Sequence, residues 1–474
     1  MPHCKNTTII NEIGKFFQKS SDNAMQRILT LLKATKMTDR GLGLHTESNA
    51  LHKTSEKLIL LVLFSIFNVK NPSHYAQSHF GRMLSGGKDL FYRLLNSEKI
   101  HWRNIHYKIA GRLHKTVITK GEQDLPCCLI VDDTDLKKRG FKMEGIGKIF
   151  SHVTQSFELG FKMLALCLDD GKQLLNIDFS LHGEKGKKEN HGLTQKQLKA
   201  RKRVAHNMEN PDYERIAEYD ESKTVSLFRI LKHFSSRGYK ADYLLADSWF
   251  ASIELIRLVL KLKGIEHYLG LAKLGNTKYT VDGKNVSAKA IIKSKRKRQT
   301  CRKLKAKYIP VLADFQGVPV RLYICKRDGV ENWRVLLTTD LSLNFEQAYE
   351  IYARRWNIEV FFKECKQYLH LGKCQSHTLN AQIAATTICM IQYNLLATAK
   401  RFEYYETFGE LFRAAGVGAS EATVTQRIWL IIKEIAIEFA RLFNIDEQIF
   451  IAKYLNDTEV FTKYIKMEFL QNVG

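Results

Sequence analysis

The chain has 474 residues, 45% of them apolar and 11% aromatic, with only 6 prolines and 28 glycines. It can bury real cores, a wholly disordered chain is excluded, and its length suggests about three domains. Basic residues outnumber acidic ones 74 to 49, a net charge of +25, and so large an excess points first to a polyanionic partner, most often nucleic acid.

Residues 1–118 read as helical. Leu58, Leu61, Val62 and Ser65 share one helical face, but the run is apolar nearly all round, so that helix is expected to be buried. A turn signal at Ser85–Gly87 precedes a short helix carrying Lys88 and Arg93. It suits a small helical DNA-binding unit and an ordinary bundle with a basic face equally well.

The texture changes at Pro126. Cys127 to Asp133 is an apolar run of strand length, and Phe161–Leu168, Asp170–Gly171 and Gln173–Leu181 read as a hairpin with an Asp-Gly turn. A basic stretch follows, with Lys185, Lys188, Lys196, Lys199, Lys202 and Arg203 ahead of Pro211, and reads as a solvated loop suited to phosphate contact. Helical spacing over 220–234, a strand from Ala241 to Ala246 and a helix from Phe250 to Leu262 complete a mixed α/β core. From 266 to 340 the strand signal returns, with turns at Asp282–Gly283 and Asp328–Gly329, as a β-rich insertion. Helix resumes at 344–370 and dominates to the end. The expected division is 1–118, helical N-terminal; 119–265, first part of the core; 266–340, insertion; 341–400, second part of the core; and 401–474, helical C-terminal.

Two acids end strands. Asp133 lies in Val131–Asp135 and Asp247 in Leu245–Trp249, 114 residues apart. If those strands are neighbours, both carboxylates can point into one cleft, although Asp at a strand end is also a common cap or turn former. Period-2 alternation puts Asp132 on the opposite face from Asp133, whereas Asp135 could share it. Asp133 is preferred for its place at the strand end. A third acid comes from a helical run, Tyr352 to Lys366. With Tyr352 taken as zero, Arg355, Glu359 and Lys366 fall at about −60°, −20° and −40°, one narrow stripe about four turns long. A solvated face pairing Glu359 with Lys363 would be worth only tenths of a kcal/mol. It would not account for Tyr352 and Trp356 in the same stretch. Three carboxylates converging from two strands and a helix suit the holding of two divalent ions across a phosphate being cut, and hard oxygen ligands favour Mg²⁺ or Mn²⁺ over zinc. The cations beside Glu359 would neutralise DNA phosphates.

At these residues the sequence resembles the DDE transposases of bacterial insertion sequences, in particular the group with a Y-x2-R-x3-E-x6-K signature, met here by Tyr352, Arg355, Glu359 and Lys366. Asp133-Thr134 matches the strand-end motif of the first acid, and Asp247 matches the second. The resemblance spans roughly residues 85–400. It implies a ribonuclease-H-like α/β core interrupted by a β-rich insertion and flanked by helical regions, the N-terminal one binding transposon ends. It implies catalytic and metal-binding roles for Asp133, Asp247 and Glu359, with two Mg²⁺ or Mn²⁺ ions, cleavage at terminal repeats and joining of the 3′-OH ends to target DNA. Tyr352, Arg355 and Lys366 would support DNA or the transition state, and Trp333, just before the Leu336-Leu337-Thr338 run, would stack on a flipped base or simply sit in a strand core. A homodimer is expected in the DNA complex.

Other classes find no support in the residues. Nine cysteines without a CxxC pair argue against a zinc ribbon and fit reduced thiols in the cytoplasm, where the resemblance implies a nucleoid-associated protein. The opening ten residues lack a signal-peptide pattern, and the apolar run Leu58–Phe67 is too short to cross a bilayer, so no membrane association is expected. There is no HExxH, no Gly-rich phosphate loop implying a nucleotide cofactor, and no Gly-x-Ser-x-Gly elbow. Two rivals remain. One is a nuclease of the same fold without strand transfer. The other is a catalytically inactive DNA-binding protein that occupies terminal repeats.

Overall fold

The computed structural model describes residues 23–416, apart from 79–83, 85, 119–124, 152, 187, 295 and 403–404. Most of the expected C-terminal region and the first residues of the N-terminal one lie outside the described residues.

Six helices open the described chain: α1 (Asn23–Ala34), α2 (Asp39–Leu42), α3 (Thr54–Leu63), α4 (Pro72–Gln77), α5 (Asp89–Leu95) and α6 (Trp102–Ile118). Helix α3 is buried from Leu58 to Leu63, as its all-round apolar run requires. The helices do not form a separate body. Their apolar residues share one core with the sheet and with α14 (Leu379–Phe402), a helix buried almost throughout. Helix α6 is locked to the sheet by charge: Arg103 reaches Asp178 at 3.4 Å, and Tyr107 donates a hydrogen bond to the same carboxylate. Burial alone would raise the Asp178 carboxyl, but Arg103 and Arg215 hold it well below the usual range.

The sheet has twelve strands: β1 (Cys128–Lys137), β2 (Gly147–Ser151), β3 (Ser156–Asp169), β4 (Leu174–His182), β5 (Ala241–Ala246), β6 (Ile265–Ala272), β7 (Lys278–Val281), β8 (Lys284–Ser287), β9 (Gln299–Cys301), β10 (Ala306–Phe315), β11 (Val318–Arg327) and β12 (Arg334–Thr338). Neighbours run β2-β3-β1-β5-β6-β12-β11-β10-β7-β8, with β4 on β3 and β9 on β10. Strand β1 pairs antiparallel with β3 and parallel with β5, and β5 pairs parallel with β6. The expected Asp-Gly hairpin is the β3–β4 pair, with Gly171 at φ 89° in its turn.

One expected boundary moves, and the later strands extend the core sheet. Strand β6 begins the 266–340 segment, yet it is a parallel partner of β5 and so part of the core. The strands after it form no separate layer, because β12 pairs with β6 and carries the same sheet outward through β11 and β10.

Alternation along the central strands sorts their side chains onto two faces. Cys128, Ile130, Tyr243 and Leu245 join the core covered by the N-terminal helices, α13 (Asn357–Tyr368) and α14. Leu129, Val131, Leu244 and Ala246 join the core covered by α9 (Lys223–Ser236) and α10 (Ile253–Lys261). Between β4 and α9 the chain forms α7 (Gln195–Ala200) and α8 (Tyr213–Ala217); later helices are α11 (Ala288–Lys293) and α12 (Phe345–Ala353). Among the described residues no helix is long and apolar enough to cross a membrane.

Candidate active site

Asp133 is not at a strand end. Strand β1 continues to Lys137 and pairs with β3 over its whole length. Asp133 follows Leu129 and Val131 onto the α9 face, where Lys223 at the start of α9 pairs with its carboxylate and Lys162 lies 3.9 Å away. Asp132 takes the other face. The parallel register of β1 with β5 ends at Val131↔Ala246. One residue further it aligns Asp132 with Asp247, and register partners in a parallel pair project to the same side. Asp247 is itself tied into a tight turn, its Oδ1 accepting the Trp249 amide at 2.8 Å.

The helical stripe meets Asp132, though along a broken helix. Helix α12 ends at Ala353, a 3₁₀ turn spans Arg354–Trp356, and α13 starts at Asn357. This corrects the expectation of one continuous helix. Asp169, 1% exposed at the end of β3, holds the break in place: it takes Arg354 at 3.0 Å and the Asn357 amide at 2.8 Å. From this anchored turn Arg355 reaches across, one guanidinium nitrogen 2.8 Å from Asp132 and the other 2.6 Å from Glu359. Further along α13, on the same stripe, Lys366 donates to the Thr134 hydroxyl at 2.7 Å. Thr134 lies two residues beyond Asp132 on the same face of β1. Tyr352 is half-buried beside them, and burial pushes its phenol up to about 12.

Asp132, Asp247, Arg355, Glu359, Lys366 and Tyr352 are therefore brought to one face of the sheet, and Asp133 is not. Trp333 is elsewhere as well. It precedes β12, packs partly buried against the α9–α10 core, and has the Arg298 guanidinium 5.4 Å from its ring centre. Sequence reasoning weighed Asp132 but preferred its neighbour. The missing signal was the β1–β5 register, since Ile130 and Leu245 each precede an aspartate by two residues on the same face.

The electrostatics are those of crowded acids. Burial, assisted by the charges of Asp247 and Asp133 and opposed by Arg355, pushes the Asp132 carboxyl up to about 7. Burial lowers the Lys366 amine. No three His, Cys, Asp or Glu side chains converge tightly enough to hold a metal ion among the described residues. The donor set still fits a hard divalent cation: two carboxylates side by side, one forced toward its neutral form, and a third acid joined to them through a positive guanidinium that already fills the role of a bridging cation.

Residues 219–395 match the family model described as "Transposase DDE domain". This segment, less than half of the chain, contains Asp247, Glu359, Tyr352, Arg355 and Lys366 and begins after both Asp132 and Asp133. The match supports a DDE transposase. No match was found among curated proteins. Among solved structures, the chain is similar to one described as a cryo-EM structure of the piggyBac transposase synaptic complex with hairpin DNA, at 15% identity and a TM-score of 0.42, over 90% of this chain and 83% of that one.

Proposed function

We propose that the protein is a DNA transposase of the DDE type, with a ribonuclease-H-like core and with Asp132, Asp247 and Glu359 as its three acids. The observation that carries this reading is the alignment of Asp132 with Asp247 across parallel strands, with Glu359 linked to Asp132 through Arg355. The net charge of +25 agrees with a DNA substrate. In this reading Asp132 and Asp247 hold Mg²⁺ or Mn²⁺, two ions being expected with Glu359 as the third ligand. Bound there, the metal would activate the attacking oxygen and stabilise the leaving one during phosphoryl transfer. Arg355 bridges Asp132 and Glu359 and keeps both oriented until DNA arrives. Lys366, fixed on Thr134, sets a positive charge on the same face for a backbone phosphate. The chain would cut at the terminal repeats of its element and join the freed 3′-OH ends to target DNA. Because two ends must be joined, the active complex would be a homodimer.

The test is divalent-ion-dependent cleavage of DNA carrying the element's terminal repeats, with wild type beside Asp132→Asn, Asp133→Asn, Asp247→Asn and Glu359→Gln. Even outer-shell partners of a metal site are worth ten- to a hundredfold, so loss of a direct ligand should cost more than about a hundredfold. Asp132→Asn, Asp247→Asn and Glu359→Gln should bind and fail to cut, while Asp133→Asn cuts. The reverse ranking of the two adjacent aspartates would return the first acid to Asp133. Cutting without joined products would leave a nuclease of the same fold, and tight binding by a wild type that never cuts would leave a DNA-binding protein.

A further inference from the structure

Strands β2 and β3 extend as a two-stranded ribbon past the end of β1, pairing Gly147↔Gly160 through Ser151↔Ser156. The direction matters. Ala165 of β3 faces Asp132, and from Ala165 to Ser156 the strand runs nine residues toward the edge where Asp132 and Asp247 lie. At about 3.4 Å per residue the tip therefore stands about 30 Å from the carboxylates, close to one helical turn of duplex DNA.

The tip carries apolar side chains that nothing covers among the described residues. Val153 is 90% exposed and Phe157 67%, and Phe157 is held edge-on against Phe150 with ring centres 5.3 Å apart. Along β2 lies the loop 183–203, with eight Lys and Arg against two Glu. The loop is fastened there by the backbone. Lys148 N donates to His191 O at 2.8 Å, Lys202 N to Lys142 O at 2.9 Å, and Arg201 to Ile146 O at 3.2 Å. The fit is so close that a Cβ at Gly147 would lie 1.7 Å from the Gly183 carbonyl oxygen. Lys142, Lys188, Lys199, Lys202 and Arg203 remain exposed on this ledge. The ledge is also tied to the α9 side of the central sheet, since Glu184 accepts the Phe150 amide at 3.4 Å and stands 3.7 Å from Lys223, the partner of Asp133.

We propose that the β2–β3 ribbon and the 183–203 loop form a docking face for duplex DNA, the ribbon entering a groove about one helical turn from the scissile phosphate and the loop cations gripping the flanking backbone. The major groove admits a two-stranded ribbon. Exposed apolar residues at its tip suit base edges, and a ledge of unlike charge to DNA selects a polyanion over a second copy of this equally basic chain. The inference rests on the transposase reading and specifies where its substrate lies.

The test uses the full-length protein in two variants, Val153→Ser/Phe157→Ser and Lys199→Ala/Lys202→Ala/Arg203→Ala, all exposed positions that should keep the wild-type melting temperature. Affinity for a mixed-sequence duplex is titrated against salt, and the terminal-repeat complex is footprinted with hydroxyl radicals. The lysine–arginine variant should lower the slope of log affinity against log salt by about 0.9 for each phosphate that is no longer neutralised. The ribbon variant should lose protection about one turn from the cleavage position. Wild-type slope and footprint in both variants, with wild type binding DNA, would overturn the docking face and leave the transposase reading standing. A wild type that binds neither DNA would bring down both. A ribbon variant that changes only the sedimenting mass would assign the tip to a second copy instead.

Discussion

Asp132 and Asp133 are chemically the same residue type one position apart, and the sheet gives them opposite lives. Asp133 has a lysine within reach on the α9 side; Asp132 is half-buried beside another acid, with its carboxyl pushed up to about 7. An unfolded aspartate loses its proton near 3.9. Between about 4 and 7 the folded chain therefore keeps a proton that the unfolded chain has released, and stability conferred by this group falls as pH rises through that window. Melting curves taken without divalent ions should show the decline in wild type and a flatter profile in Asp132→Asn, with Asp133→Asn behaving as wild type in this respect. Divalent-ion binding should strengthen as pH approaches 7, because the ion competes with that proton. Composition and motif made an acid at this point of β1 legible. Which of two adjacent acids faces the site depends on a strand whose register partners lie 115 residues later in the chain, and no local pattern contains that.

At the scale of elements, the junction between α12 and α13 decides where Arg355 and Glu359 point. Periodicity assigns Tyr352–Lys366 to one helix, correctly for residue type, since the stretch has neither proline nor glycine to break it. The break is imposed from outside by Asp169, through Arg354 and Asn357. Asp169→Ala should cost about 3–5 kcal/mol by denaturant unfolding, as it strands the largely buried Arg354 guanidinium. Asp169→Asn keeps an acceptor and should cost less. DNA cleavage should fall in the alanine variant by more than its unfolded fraction explains, because the arginine that joins Asp132 to Glu359 loses its footing. The stripe of Tyr352, Arg355, Glu359 and Lys366 was legible because both helical pieces keep those residues on one side; the anchor was not, because a lone aspartate at the end of a hairpin strand reads as a turn former.

Across the whole molecule, one sheet runs from the β2–β3 ribbon to β8. The core strands, their order in sequence and the hairpin were readable from apolar runs and turn residues. That the later strands would extend this sheet was not, since β12 finds its partner β6 across more than sixty residues of chain. A further outcome follows at this scale: Gly147→Ala should destabilise the ribbon by about 1–3 kcal/mol through overpacking, read by denaturant unfolding, because the added Cβ would overlap the Gly183 carbonyl oxygen. The pairing of Val335–Thr338 with Leu269–Ala272 means that β6 owes its outer row of hydrogen bonds to residues beyond the intervening segment 273–333. A chain shortened by removing 273–339 would present that row, backed by the buried Tyr268 and Leu269, as an open template for strands of other molecules. Such a deletion should scatter light in proportion to concentration even if every acid of the site is intact. Shortening this protein is thus a question of solubility before it is one of catalysis.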